Sequence, residues 1–160
     1  MTGAADKAEI AQLMFAVFKR MQRVCEVELS EHGLSLSRAK ILGTLDQFGP
    51  SNQSALATTF DLAPRTVTEL VDVLERDGLV ERRADPADRR ARQVHLTPAG
   101  REAHLLAATT RIRVISQFFG SLNDDQLHEF AATLRQIDAE VQPVCAFSEK
   151  GAPASASRNC

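Results

Sequence analysis

Arg65, Thr66 and Thr68 follow directly on Pro64. An Arg near the start of an exposed helix can donate two N–H groups to O6 and N7 of guanine, and a Thr methyl can meet the methyl of thymine. Further along, Asp88, Arg89 and Arg90 crowd the tip of a stretch that reads as a β-hairpin. Arginines there could enter a minor groove, where narrow A·T tracts concentrate negative potential. Asp88 could hold one of them extended. Upstream, Ser51, Asn52, Gln53 and Ser54 offer hydroxyls and amides to phosphate oxygens. Helix periodicity alone leaves Arg65 to Glu69 open between a DNA-reading face and an ordinary solvated one. The Arg-rich hairpin that follows favours the first.

No catalytic constellation competes. GxSxG, P-loop and HExxH patterns are absent. Asp124 and Asp125 read as first-turn charge favoured by a helix dipole, not as a carboxylate pair in a cleft. His32, His95, His104 and His128 lack ligand spacing, and Cys25, Cys145 and Cys160 form no CxxC. Neither a metal site, a disulfide framework nor a cofactor is expected, and the chain is read as no enzyme.

At 160 residues and 44% hydrophobic, one domain with a small appendage is expected. The net charge is −2, so a nucleic-acid reading rests on local charge. Between Glu81 and Arg101, six Arg stand against three carboxylates. Such segregation suits a protein with one DNA-facing side. The polar start, MTGAADKAEI, lacks an apolar h-region, so no signal peptide is expected, and no run approaches the length of a membrane span. A cytoplasmic protein is expected.

Six helices and one hairpin would position these groups. A first helix over 6–31 carries Ile10, Leu13, Met14, Val17, Phe18, Met21, Val24 and Cys25 at steps of three and four. It could cover the protein's own core or join two subunits, and its apolar length favours the second. Ser35 caps a second helix to Phe48, burying Leu36, Ala39, Leu42 and Leu45, with Gly49-Pro50 as the stop. Ser51 or Asn52 caps a short third helix to Phe60. Pro64 opens the fourth, which buries Val67, Leu70, Val71 and Leu74 and ends before Gly78. Paired strands follow over 79–83 and 89–96, with Val94 and Leu96 inward and Gln93 and His95 outward. Thr97 and Pro98 open a fifth helix carrying Leu105, Ile112, Ile115 and Phe119. Asn123 with Gln126 forms a capping box for a sixth, whose stripe runs from Leu127 to Val141 before Pro143. The tail from Ser148 is small, polar and expected to be disordered.

The fold expected is mainly α with one small β-hairpin. A winged helix-turn-helix over 35–97 would sit on a helical dimerisation platform made of 6–34 and 98–145. Thr66-Val67-Thr68, the run Leu74-Glu75-Arg76-Asp77-Gly78-Leu79-Val80-Glu81-Arg82, and Asp88-Arg89-Arg90 ahead of Leu96-Thr97 and Gly100 resemble the MarR (multiple antibiotic resistance regulator) family. The resemblance extends over about residues 6–142. It implies a homodimer on a pseudo-palindromic operator, and repression relieved by a ligand or oxidant. It also implies that Pro64 to Thr68 read the major groove, that Arg90 with Arg89 enters the minor groove, and that Asp88 supports the wing.

The resemblance further implies a pocket for a small aromatic or anionic effector. Met14, Phe18, Met21, His32, Ser37, Arg38 and His104 lie near the relevant helix joins, with Arg38 able to pair with a carboxylate. Cys25 raises a thiol-based redox alternative, although the Tyr residues that activate such a thiol in the family are missing from this chain. A non-specific architectural DNA protein is a further alternative, which the net acidity disfavours.

Overall fold

A computed structural model describes residues 6–84 and 92–145, with side chains through Val141. Six helices run α1 (Lys7–Ser30), α2 (Leu36–Phe48), α3 (Gln53–Phe60), α4 (Pro64–Arg76), α5 (Pro98–Phe119) and α6 (Asp124–Cys145). Three short strands intervene: β1 (Ser51–Asn52), β2 (Val80–Ala84) and β3 (Arg92–Leu96).

Local chemistry sets most boundaries. Asp6 caps α1, Ser35 caps α2 by accepting from the Arg38 N–H, and Thr97 caps α5 by accepting from the Gly100 N–H. Asn123 and Gln126 exchange two hydrogen bonds ahead of α6, the reciprocal box expected there. Pro143 does not end α6, which continues to Cys145. Gly78 follows α4 with φ +71, and the Leu79 N–H returns to the Leu74 carbonyl at 2.9 Å. That left-handed turn swings the chain from α4 straight into β2.

The sheet has one more strand than the sequence suggests. Its order is β1-β3-β2, both pairs antiparallel. Ser51 lies opposite Val94, and Arg82 also lies opposite Val94 from the other side. A two-residue strand behind Gly49-Pro50 carries no readable alternation, so only the partner strand reveals it. Residues 89–91, expected in the return strand, lie outside the described residues.

The core collects Leu29 and Leu34, Ile41, Leu42 and Leu45 of α2, Leu56 of α3, Val67, Val71 and Leu74 of α4, and Val80 and Val94 of the sheet. Ile41, absent from the expected α2 face, is fully buried, whereas Leu36 and Ala39 are only partly so. Gln93 and His95 are half-buried rather than outward. α5 packs against both α1 and α2. It does so through Ala107, Thr110 and Val114, while Leu105 and Ile112 of the expected stripe face solvent.

Candidate nucleic-acid interface

Asn52, rather than Ser51, caps α3, accepting from the Ala55 N–H at 2.8 Å. Ser51 is held in β1, half-buried. Gln53 is also half-buried, with its Oε1 enclosed and unpartnered among the described residues, while Ser54 is exposed. Of the four residues expected to meet phosphate here, Asn52 and Ser54 are exposed, and Asn52 already commits its side-chain oxygen to the α3 cap.

Asp61 adopts a left-handed conformation (φ 49) and turns the chain from α3 into α4. α4 starts on Ala63, which provides no side-chain cap, with Pro64 in its first turn. The positive end of the helix therefore faces outward without a side-chain cap among the described residues. Pro64, Arg65, Thr66, Thr68 and Glu69 are all exposed on this turn, while Val67 is fully buried and fixes the rotation of the helix. Arg65 Nε donates to Glu69 Oε1 at 2.9 Å, and the Thr68 hydroxyl donates to the Pro64 carbonyl at 3.0 Å. Glu69 was expected to share this face, but its hold on Arg65 was not legible from spacing alone.

The base of the wing is pinned to α4. Arg82 on β2 donates to Asp72 at 2.6 Å and also bonds the Glu75 carboxylate, whose other oxygen accepts the Arg82 backbone N–H at 2.9 Å. The guanidinium is largely buried and its charge is held more firmly than usual. Burial opposes this, but the hydrogen bonds and charges of Asp72 and Glu75 outweigh it. Arg82 thus turns back onto α4 instead of adding to the exposed charge of the hairpin. Arg83 is exposed and pairs with Glu81. Asp88, Arg89 and Arg90 lie outside the described residues.

Arg38 has a structural partner set. It donates to Asp77 at 2.8 Å and to the Gly33 carbonyl, tying the α1–α2 turn to the end of α4. It is not among the residues that line the space between α1, α2 and α5. A cleft of about 670 Å³ does open between α1, α2 and α5. Phe18, Met21 and His104 line it, as expected; Met14 is exposed on α1, and His32 and Ser37 are exposed elsewhere. Its floor is apolar, with Cys25, Leu29, Leu36 and Ala107, and its rim carries Lys40, Asp46 and Arg111. Lys40 and Arg111 escaped sequence reasoning, because neither stands in a motif and only the packing of α2 against α5 joins them. His104 Nε2 lies 3.8 Å from Asp46. The Cys25 thiol is buried; its pKa is raised by desolvation first and by Glu28 second, against the opposing charge of Arg111. Among the described residues no cluster of His, Cys, Asp or Glu could hold a metal ion, and no helix is long and apolar enough to cross a membrane.

Comparison with known proteins gives this arrangement a lineage. Residues 34–91 match the model of the MarR family. The chain is 33% identical over 99 residues to the HTH-type transcriptional repressor YetL of Bacillus subtilis, spanning 61% of this chain and 59% of that one. The fold superposes on wild-type MarR of E. coli in its apo form with a TM-score of 0.71, at 20% identity, over 79% of this chain and 95% of the other. It also superposes on BpsR of Bordetella bronchiseptica, a protein whose DNA binding is regulated by 6-hydroxynicotinic acid, with a TM-score of 0.67 at 22% identity, over 85% and 98% of the two chains. With an exposed α4 and a sheet pinned beside it, residues 34–91 match the MarR family and the chain has the winged helix-turn-helix fold of the MarR proteins it resembles.

Proposed function

We propose that this regulator is a homodimeric repressor that grips a pseudo-palindromic operator and lets go when a small aromatic or anionic effector fills the α1–α2–α5 cleft. The observation that carries the reading is α4 itself. Its uncapped N-terminus presents Arg65, Thr66 and Thr68 to solvent above a fully buried Val67. In this reading Pro64 to Thr68 enter the major groove, Ser54 meets the backbone, and Arg89 and Arg90, supported by Asp88, reach the minor groove. The Arg82 pins keep the wing in a fixed relation to α4.

Dimerisation is supported by apolar surface that none of the described residues covers. Ile10, Leu13, Met14, Val17 and Phe18 on α1, Ile112 on α5, and Phe130, Ile137 and Val141 on α6 are all more than a third exposed. Solvated surface of that extent is uncommon on a monomer. Residues 6–34 and 98–145 would form the shared platform, and 35–97 the DNA-binding unit. Two recognition helices on one rigid platform can be set about 34 Å apart, the spacing of successive major grooves.

An effector role for the cleft is supported by its apolar floor and its Lys40 and Arg111 rim, which suit an anion with an apolar body. Repression fits the similarity to YetL, and ligand release fits the similarity to BpsR. The redox alternative draws less support. A sensing thiol needs a lowered pKa, and burial drives Cys25 the other way. The site of action would be the cytoplasm.

The deciding experiment is fluorescence anisotropy of the purified protein on the DNA immediately upstream of its own gene, at about physiological salt with excess random duplex. Binding that survives the competitor supports the specific regulator. Equal affinity for operator and random duplex, after genome-wide site selection has also returned no motif, would overturn it in favour of an architectural protein.

A further inference from the structure

The exposed turn of α4 holds an ion pair whose place is hard to explain by stability. Arg65 is 90% exposed and Glu69 is 63% exposed, one turn apart. An ion pair so solvated does little for folding. A carboxylate on a face that meets phosphates also costs affinity for any DNA. Its geometry suggests another use. Arg65 gives its Nε–H to Glu69, which leaves the two Nη groups at the end of the guanidinium without an acceptor among the described residues. That end-on pair of donors is the fork that fits O6 and N7 of guanine. Beside it, Thr68 has committed its hydroxyl proton to the Pro64 carbonyl. Towards a groove Thr68 therefore offers a methyl and a lone pair, so it does not compete with Arg65 as a donor.

We propose that Glu69 is a positioning residue that makes Arg65 a reader of guanine. This rests on the DNA-binding role of α4 proposed above. An unrestrained Arg on this turn has a second option, a nearby phosphate, which is present at every sequence and so adds affinity without choice. Glu69 weakens that option in two ways. It compensates the Arg65 charge, and it holds the guanidinium by its Nε. The side chain then reaches the groove already ordered, and less rotamer freedom is lost on binding. Specificity gains while non-specific attraction falls, which is how a difference of affinities is widened.

The test uses the full chain. Selection from a random duplex library defines the wild-type motif, and competition anisotropy at fixed salt then measures each base at each position. A guanine is expected in each half-site, and replacing it with adenine should weaken wild-type binding about tenfold or more, the scale of one good bidentate contact. Glu69→Ala should lose most of that preference while binding random duplex as tightly as wild type or more tightly. Glu69→Gln keeps an acceptor for Nε and should retain an intermediate preference. Arg65→Ala should abolish the same preference, and the double variant should discriminate no less than Arg65→Ala alone. Thermal melting of Glu69→Ala should match wild type, since the pair is solvated. Undiminished guanine preference in Glu69→Ala would overturn the proposal, as would a loss of affinity equal across all sequences. A wild-type motif without a fixed guanine would overturn it too, leaving the DNA-binding reading intact. A wild-type protein that enriches no motif would overturn that reading and this inference with it.

Discussion

Gly100 and Cys25 show how much a single side-chain position can decide here. A Cβ on Gly100 would run into the Leu79 carbonyl and lie 2.7 Å from Leu96 Cδ1. The first turn of α5 is thereby pressed against the start of the wing, and only glycine allows it. Gly100→Ala should destabilise the fold by about 2 kcal/mol or more, read from urea unfolding, because neither backbone nor strand can yield cheaply. An unchanged midpoint would mean that α5 can slide away from Leu79. Cys25 makes the opposite point about chemistry. Its thiol is held protonated by burial and by Glu28, so its alkylation by iodoacetamide at neutral pH should be slower than that of free cysteine. The sign for stability follows. Both folded and unfolded thiols are neutral well below the ordinary value of 9.0, so Cys25 adds no pH dependence there. Above it the unfolded chain ionises first, and the Cys25 contribution is lost as pH rises towards the folded pKa. Thermal melts of wild type and Cys25→Ala from about pH 8 to about pH 10 should converge with rising pH.

At the scale of elements, three short connections tie α1, α2, α4 and β2 together. Arg82 fastens β2 to α4, Arg38 fastens the α1–α2 turn to the end of α4, and Glu26 accepts the Leu36 N–H at 2.8 Å at the start of α2. Arg82→Ala leaves Asp72 and Glu75 facing one another without a cation. Both carboxylates keep some solvent, so the cost should be about 1–3 kcal/mol, below that of a fully buried pair. Operator affinity should fall further than stability predicts, since the wing loses its fixed relation to α4. An Arg82→Ala protein with wild-type operator affinity would show that the wing is positioned by the sheet alone. Arg38 belongs to the same scale, although its sequence position suggested a ligand contact. Its guanidinium is already satisfied by Asp77 and Gly33, and so it links the upper helices to α4 instead of waiting for a carboxylate.

For the whole molecule the unresolved balance is between the core and the exposed apolar helices. The core seals α2, α3, α4 and the sheet, with Leu29 and Ala107 at its upper edge. Beyond it, α1 and α6 turn large apolar side chains to solvent, with Phe119 and Phe130 meeting at 6.3 Å between ring centroids. If a second copy covers them, Tm should rise with protein concentration by mass action. Phe130→Glu should then shift the sedimenting species to monomer and abolish operator binding, while leaving the core helices intact by circular dichroism. A dimer unaffected by this change and by Leu13→Glu would place the interface elsewhere. Effector and operator must also be reciprocal in such a protein. A ligand that weakens operator binding tenfold is itself bound tenfold more weakly by the operator complex, a coupling of about 1.4 kcal/mol.

The sequence by itself determined the six helices, the hairpin strands and which side chains α4 turns to solvent. Caps such as Ser35, Thr97 and the Asn123–Gln126 pair, and stops such as Gly49 and Gly78, act within a few residues, so local chemistry is enough to place them. The apolar spacing of Val67, Val71 and Leu74 likewise forces Arg65, Thr66 and Thr68 outward. Tertiary structure decided what depends on distant partners. The strand at Ser51 exists because β3 offers it an edge, and Ile41 is core because α2 is enclosed on more than one side. Arg38 and Arg82 read as free cations in the sequence, yet their carboxylate partners lie 39 residues away for the first and 7 and 10 residues away for the second. The cleft joins Lys40 of α2 to Arg111 of α5 only once those helices pack. Short-range hydrogen bonds and helical periodicity are written in neighbouring residues, whereas charge pairing and cavity shape depend on which elements the fold brings together.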